Sequence, residues 1–239
     1  MLDAFVRETT LNTFDSAVLH FLNQFAFRVG GFDRFVVALT GFYATRGLML
    51  TAMLWWIWFR NGASVRRDRE IVIATIASGF VALALGRLLA SWLPFRLRPL
   101  ANPELMLHFP MSADDAGRSW SAFPSDHAML WCAVATGIFL ASKRLGIAAL
   151  CYAIVFIGLP RVYVGLHNPT DVLVGGALGA LGCVVLNQPR LREFMAGPIL
   201  NLSSRYEGAF HAGMFLLSFQ LVTQFDEVRR LAASILKYL

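Results

Sequence analysis

Within residues 121–171 the chain sets a serine, an arginine, an aspartate and two histidines at the edges of strongly apolar runs. S-A-F-P-S-D-H (residues 121–127) opens one such run, and R-V-Y-V-G-L-H-N-P-T-D (residues 161–171) closes the next. F-R-L-R-P (residues 95–99) stands just upstream, at the end of another. Ionisable groups at such positions are costly unless they serve a site. In the last cluster Asn168 can cap a helix, and Pro169 suits its first turn. Asp171 then sits in that turn, and His167 at its mouth. A carboxylate there can accept from one imidazole nitrogen and leave the other free as nucleophile or base. His with Asp can also ligate a metal, and the spacing alone leaves that open. The Arg161 guanidinium offers a planar fork matched to phosphate oxygens. In the middle cluster, a helix N-terminus at Ser125 is a phosphate cradle, and His127 in its first turn can deliver a proton. Taken alone, Ser125 reads as a plain N-cap. Arg96 and Arg98 alternate ahead of Pro99, with Arg87 further back. Together these groups describe one anion-binding catalytic centre.

The elements that must carry them are membrane helices. The chain is 57% hydrophobic and 15% charged, against about 25% charged for a soluble domain. Its net charge of +6 is no nucleic-acid signal, because the basic residues fall in short clusters between apolar runs. Cys132, Cys151 and Cys183 lie inside those runs and read as buried filler. No basic stretch followed by an apolar one opens the chain, so the first span is expected to act as the insertion signal.

The apolar runs predict an all-α, polytopic membrane bundle of five to six spans, at about 35–59, 70–93, 123–141, 145–159, 171–186 and, more weakly, 209–223. Ser218 and Gln220 leave the last as a span or an interfacial helix. The chain reads as a single domain, 1–239. Residues 1–34 form an N-terminal segment that suits the interface or a place beside the bundle, and 122–171 hold the core motifs. Arg60, Arg66, Arg67 and Arg69, then Lys143 and Arg144, then Arg190, Arg192 and Arg205 occupy alternate connections. The positive-inside rule makes these cytoplasmic. The 94–121 loop and the turn before Asp171 then face outward, and all three polar clusters fall on that face. Leu105, Met106, Leu107 and Phe109 give the outer loop an apolar stretch that reads as a plain irregular loop, or as a lid dipping into the membrane.

R-P, then P-S-x-H, then R-x5-H-x3-D, in that order and at those helix ends, resembles the type 2 phosphatidic acid phosphatase (PAP2) family. Its superfamily also holds soluble vanadium haloperoxidases and acid phosphatases. The resemblance implies a haloperoxidase-like helical core in which His167 attacks phosphorus and becomes phosphorylated. It implies that Asp171 orients His167, that His127 protonates the leaving group, and that Arg98, Arg161 and Ser125 hold the phosphoryl oxygens. Three positions depart from the pattern: Ser91 where a lysine is usual, Asp126 for a glycine, and Pro160 for a serine. Arg87 and Arg96 are the candidates to replace the lysine. Asp126 can pair with an arginine and change substrate preference.

The expectation is an integral membrane phosphatase, in a bacterial cell (inner) membrane, with its site on the extracytoplasmic face. Its partners are membrane lipids and a lipid phosphate or pyrophosphate substrate, such as phosphatidic acid, phosphatidylglycerol phosphate or undecaprenyl pyrophosphate. It needs no metal or other cofactor, because arginines and a helix terminus supply the positive field. A lipid phosphotransferase would use the same site. A proton-coupled transporter is the rival from another class. Such proteins keep ionisable groups near the midplane and show internal repeats; here the polar groups stand at span ends and no repeat is visible.

Overall fold

Long runs of Ile, Val, Leu and Ala in a bilayer can satisfy their backbone only within themselves, and the helix is the local way to do so. The structure, a computed structural model, describes residues 11–112 and 121–236, with no strand among them. The helices are α1 (Thr13–Asn23), α2 (Gly30–Gly41), α3 (Met49–Phe59), α4 (Val65–Trp92), α5 (Asp126–Ala141), α6 (Lys143–Tyr152), α7 (Leu159–Tyr163), α8 (Pro169–Leu186), α9 (Pro189–Arg205), α10 (Glu207–Thr223) and α11 (Asp226–Leu236). π-helical segments join in at Ala44–Leu48, ahead of α3, and at Ala153–Gly158, between α6 and α7.

Helix α4, the continuous Lys143–Tyr163 run and α8 are each long and apolar enough to cross a membrane. The 28 residues of α4 rise about 42 Å, more than an apolar core of about 30 Å requires. The straight span expected over 35–59 is instead a bent pair, Gly30–Gly41 and Ala44–Phe59, at 64°. Its break has a local cause. Phe42 is extended, and side chains take the carbonyls that the helix would have used. Arg46 Nε donates to Thr40 O at 2.7 Å, and the Thr45 hydroxyl donates to Leu39 O and Phe42 O at 2.9 Å each.

Helix α5 is apolar but only 16 residues long. It is the centre of the bundle, packed on α4, α6 and α8, with Trp131 fully buried among Leu50, Leu54, Val72, Ile138 and Leu221. Helix α8 reaches α5 through glycines. A Cβ on Gly179 would stand 1.9 Å from the Met129 carbonyl oxygen, and one on Gly175 would stand 2.6 Å from that of Ser125. Small residues at this spacing let two helix backbones touch, which sets the N-termini of α5 and α8 side by side.

Helix α10 bonds the second half of α3: Trp58 Nε1 donates to His211 Nε2 at 3.1 Å and Trp55 Nε1 to Ser218 Oγ at 3.0 Å; beyond both helices Arg46 of the π segment pairs with Asp226 of α11 at 3.3 Å. The weakest of the expected spans therefore lies antiparallel to α3 over the same depth, with Ser218 buried against a tryptophan. At one end of the bundle Arg60 bonds both Asp68 (2.7 Å) and Ala141 O (3.0 Å), and Arg192 pairs with Glu70 at 3.6 Å. The arginine-rich connections thus gather there, while the three polar clusters gather at the opposite end. Helix α1 lies on that second end against α7 and α8. It buries Asp15 and Leu19 and leaves Phe14 and Phe21 exposed. Of the cysteines only Cys183 is buried; Cys151 is exposed on the outward flank of α6, a correction to the filler reading.

Candidate active site

Main-chain hydrogen bonds stitch the three clusters together. Pro94 stops α4, and the extended segment after it pairs with residue 122: Ala122 N donates to Arg96 O at 2.8 Å. Leu100 N donates to Gly165 O at 3.0 Å, and Ser125 N to Asp171 O at 3.1 Å. Gly165, at φ 77, makes the tight turn between α7 and α8 that only glycine adopts without cost. The turn is closed by Leu166 N and His167 N, both donating to Arg161 O. The ring of Phe109 covers it, since a Cβ at Gly165 would be 2.7 Å from that ring. Leu105 and Leu107 are half-buried like Phe109, while Met106 is 87% exposed. Residues 113–120 of the loop lie outside the described residues.

A cavity of about 490 Å³ opens among these elements, lined by Arg46, Arg87, Arg98, Asp126, His127, Arg161 and His167, with Thr40, Ser112 and Ser121. Six of the sequence-predicted residues therefore share one chamber: His127, His167, Arg87, Arg98, Arg161 and Asp126. His167 Nδ1 lies 2.8 Å from Ala122 O. A carbonyl only accepts, so Nδ1 carries the hydrogen and Nε2 keeps its lone pair. Burial, and next the Arg98 guanidinium, hold this imidazole far below its ordinary 6.5, at about 3; Asp126 and the Ala122 carbonyl oppose the shift without offsetting it. His167 is therefore neutral at physiological pH, as a nucleophile must be. Burial also draws Arg98 down from its ordinary range, while Asp126 and Asp171 hold it up.

Three predicted residues stand beside the cavity rather than on its wall. Ser125 is fully buried, and its hydroxyl accepts from Ala128 N at 3.4 Å, capping α5. Asp171 does not bond His167. Its Oδ2 accepts from Asn168 N (2.7 Å) and Asn168 Nδ2 (3.0 Å), and its Oδ1 from Arg96. An acid three residues into a helix folds back on the N-cap amide, and that local bond wins over the imidazole. Asp171 thus fixes the turn that carries His167. Arg96, read as a phosphate ligand, bridges Asp171 and Asp15, the latter at 2.6 Å. Ser91, at the position of the usual lysine, is exposed and bonds Leu88 O.

Two residues are new to the site. Asp15 of α1 is fully buried and accepts from Arg96, from Thr170 N (2.8 Å) and from Thr170 Oγ1 (2.6 Å). It locks α1 to the first turn of α8. Arg46 reaches the cavity from the π segment, and its signal was present: a charge inside an apolar span is by default a site residue. No group of three His, Cys, Asp or Glu side chains is close enough to hold a metal among the described residues.

This geometry carries two expectations. Asp15→Ala leaves a buried ion cluster one partner short, a loss of about 3 kcal/mol or more for such pairs; its melting temperature in detergent should fall well below that of a surface control such as Glu104→Ala. The second concerns acid. Below pH 6.5 the unfolded chain protonates His167, while the folded chain does so only near 3. The unfolded state then binds more protons, so stability falls as pH drops through that window. Wild type should lose more melting temperature between pH 7 and 4.5 than His167→Asn does, the difference between the two proteins being the measurement.

Fold and site together define a class: a helical membrane protein with a histidine- and arginine-lined anion chamber at one end of its bundle. The chain belongs to the PAP2 superfamily, whose family model matches residues 70–193. It is 29% identical over 153 residues to the bacitracin transport permease protein BcrC of Bacillus licheniformis, covering 62% of this chain and 68% of that one. It is 33% identical over 118 residues to an undecaprenyl-diphosphatase of Sulfolobus acidocaldarius, covering 48% and 53%. The chain thus spans between about half and two thirds of the length of these curated relatives. The crystal structure of the transmembrane PAP2-type phosphatidylglycerolphosphate phosphatase from Bacillus subtilis has the same fold, with a TM-score of 0.50 and 22% identity over 77% of this chain and 88% of that one. Family and relatives support a lipid phosphate hydrolase.

Proposed function

We propose that the chain, acting as one domain, hydrolyses a lipid phosphate or diphosphate at the outer face of a bacterial cell membrane. The observation that carries this is the single chamber that holds both histidines and four arginines. Nε2 of His167 attacks phosphorus, and the bond from phosphorus to the leaving oxygen breaks. His127 gives that oxygen a proton, and the lipid departs. Water then attacks the phosphohistidine, passing its proton to His127, and inorganic phosphate leaves. Arg98 and Arg161 hold the phosphoryl oxygens, where fixed cations act on charge that develops in the transition state. Arg46 and Arg87 line the same chamber and suit a second phosphate. That, with the relative named an undecaprenyl-diphosphatase, supports a polyprenyl diphosphate as first candidate.

The test is phosphate release by detergent-purified protein from polyprenyl diphosphate, phosphatidic acid and phosphatidylglycerol phosphate, in the presence of a chelator. Release from none of them would overturn the reading. Phosphoryl groups recovered on another lipid would make the protein a transferase, and activity restored only by a divalent ion would return His127, His167 and Asp171 to metal binding. The facing of the site has its own test. Met106→Cys on intact cells should react with an impermeant thiol reagent and Asn61→Cys should not; the reverse labelling would turn the site to the cytoplasm.

A further inference from the structure

Asp126 opens α5 at a position where the resembled pattern has glycine. Its Oδ1 accepts from the His127 main-chain N–H and from ring Nδ1, each at 2.8 Å. An ionised carboxylate cannot donate, so Nδ1 carries a hydrogen and Nε2 is the atom left to act. Nε2 is buried and has no hydrogen-bond partner among the described residues, on a ring that lines the cavity. The carboxylate is itself held from α4. Its Oδ2 stands 3.8 Å from Arg87 Nε, and Arg87 donates to Gln224 O at 2.9 Å. Gly86 allows that approach, since a Cβ there would be 3.2 Å from Asp126 Cα.

The two histidines are thereby treated differently. His167 meets a neutral backbone carbonyl, His127 a carboxylate. A carboxylate on Nδ1 fixes the ring and stabilises its imidazolium form. The chamber makes that support necessary. Arg46 from the first π segment, Arg87 from α4, Arg98 from the loop and Arg161 from α7 all face it and oppose a further positive charge. His167 adds none. Asp126 is the one acidic residue among the described lining.

We propose that Asp126 is the positioning residue of the proton donor: it fixes His127 with Nε2 toward the chamber and steadies the protonated ring. This rests on the phosphatase reading. The experiment compares a lipid phosphate, whose alcohol leaves poorly, with nitrophenyl phosphate, whose phenolate needs little protonation. Asp126→Gly removes the contact; Asp126→Asn keeps the shape and removes the charge, and carries the test if the glycine variant does not fold. Both should slow lipid turnover by about 10- to 100-fold, a part of what general acid catalysis supplies. Phosphorylation by the nitrophenyl ester should stay within about threefold by the same reasoning. In a His127→Ala background Asp126→Asn should cost nothing further, because coupled residues are non-additive. Equal losses on both esters, additive losses in the double variant, or a lower KM at unchanged kcat would overturn the proposal, the last by making Asp126 a repeller of phosphate. Wild-type protein inactive on both esters would overturn the phosphatase reading itself, and this one with it.

Discussion

His167→Ala protein, exposed briefly to radiolabelled substrate and denatured, is expected to retain no label, while wild type retains an acid-labile, base-stable phosphoryl group. The expectation rests on one tautomer. With Nδ1 held by Ala122 O, only Nε2 can attack, and burial keeps it unprotonated. The other cavity histidine, His127, has its Nδ1 on the Asp126 carboxylate instead of a neutral carbonyl, the environment of a proton donor rather than a nucleophile. Turnover should fall by something on the order of 10⁶, the scale seen when a covalent nucleophile is removed. Label persisting in His167→Ala would move the nucleophile elsewhere.

His127→Ala should separate the two chemical steps. With a lipid alcohol as leaving group, the first step loses its proton donor and should slow by about 10²–10⁴. With an activated phenolate the first step proceeds. The second step still lacks a base for water, so phosphohistidine should accumulate to near one per chain. Burst kinetics on nitrophenyl phosphate read this directly: a full burst, then almost no steady rate. A variant that turns over the activated ester at the wild-type rate, with nothing trapped, would discard the assignment. The same measurement on Asp171→Asn should show a smaller, uniform slowing, because Asp171 holds the Asn168 turn and Arg96 and not the imidazole.

Much of this architecture is legible along the chain, because apolar run length and flanking arginines act locally. The runs at 70–93, 145–159 and 171–186 correspond to α4, the Lys143–Tyr163 run and α8. The cavity histidines and Arg98 and Arg161 are legible for the same reason, as charges at the ends of such runs. The features hidden from sequence depend on distant partners. Arg96 looks like Arg98 in sequence, but Asp15 is 81 positions away from it, and nothing local marks that pair. Asp171 failed differently: two local bonds competed for one carboxylate, and spacing does not rank them. The bend at Phe42 was hidden because its broken hydrogen bonds are repaired by the side chains of Thr45 and Arg46.

The π segment at Ala153–Gly158 sets the rotational phase of α7. A π turn holds one residue more than an α turn, and one residue is about 100° of helix rotation. It also absorbs the missing amide of Pro160, the first position at which α6 could not have continued unbroken. Upstream of it, the outward flank keeps Ile147 exposed, and at its start Ile154; downstream, Arg161 is 3% exposed and turned to the chamber. The direction of that guanidinium is therefore encoded in a residue count. Two chains with the same residue types, differing by one residue in this turn, would point it to opposite solvents: one into an aqueous chamber, the other into hydrocarbon.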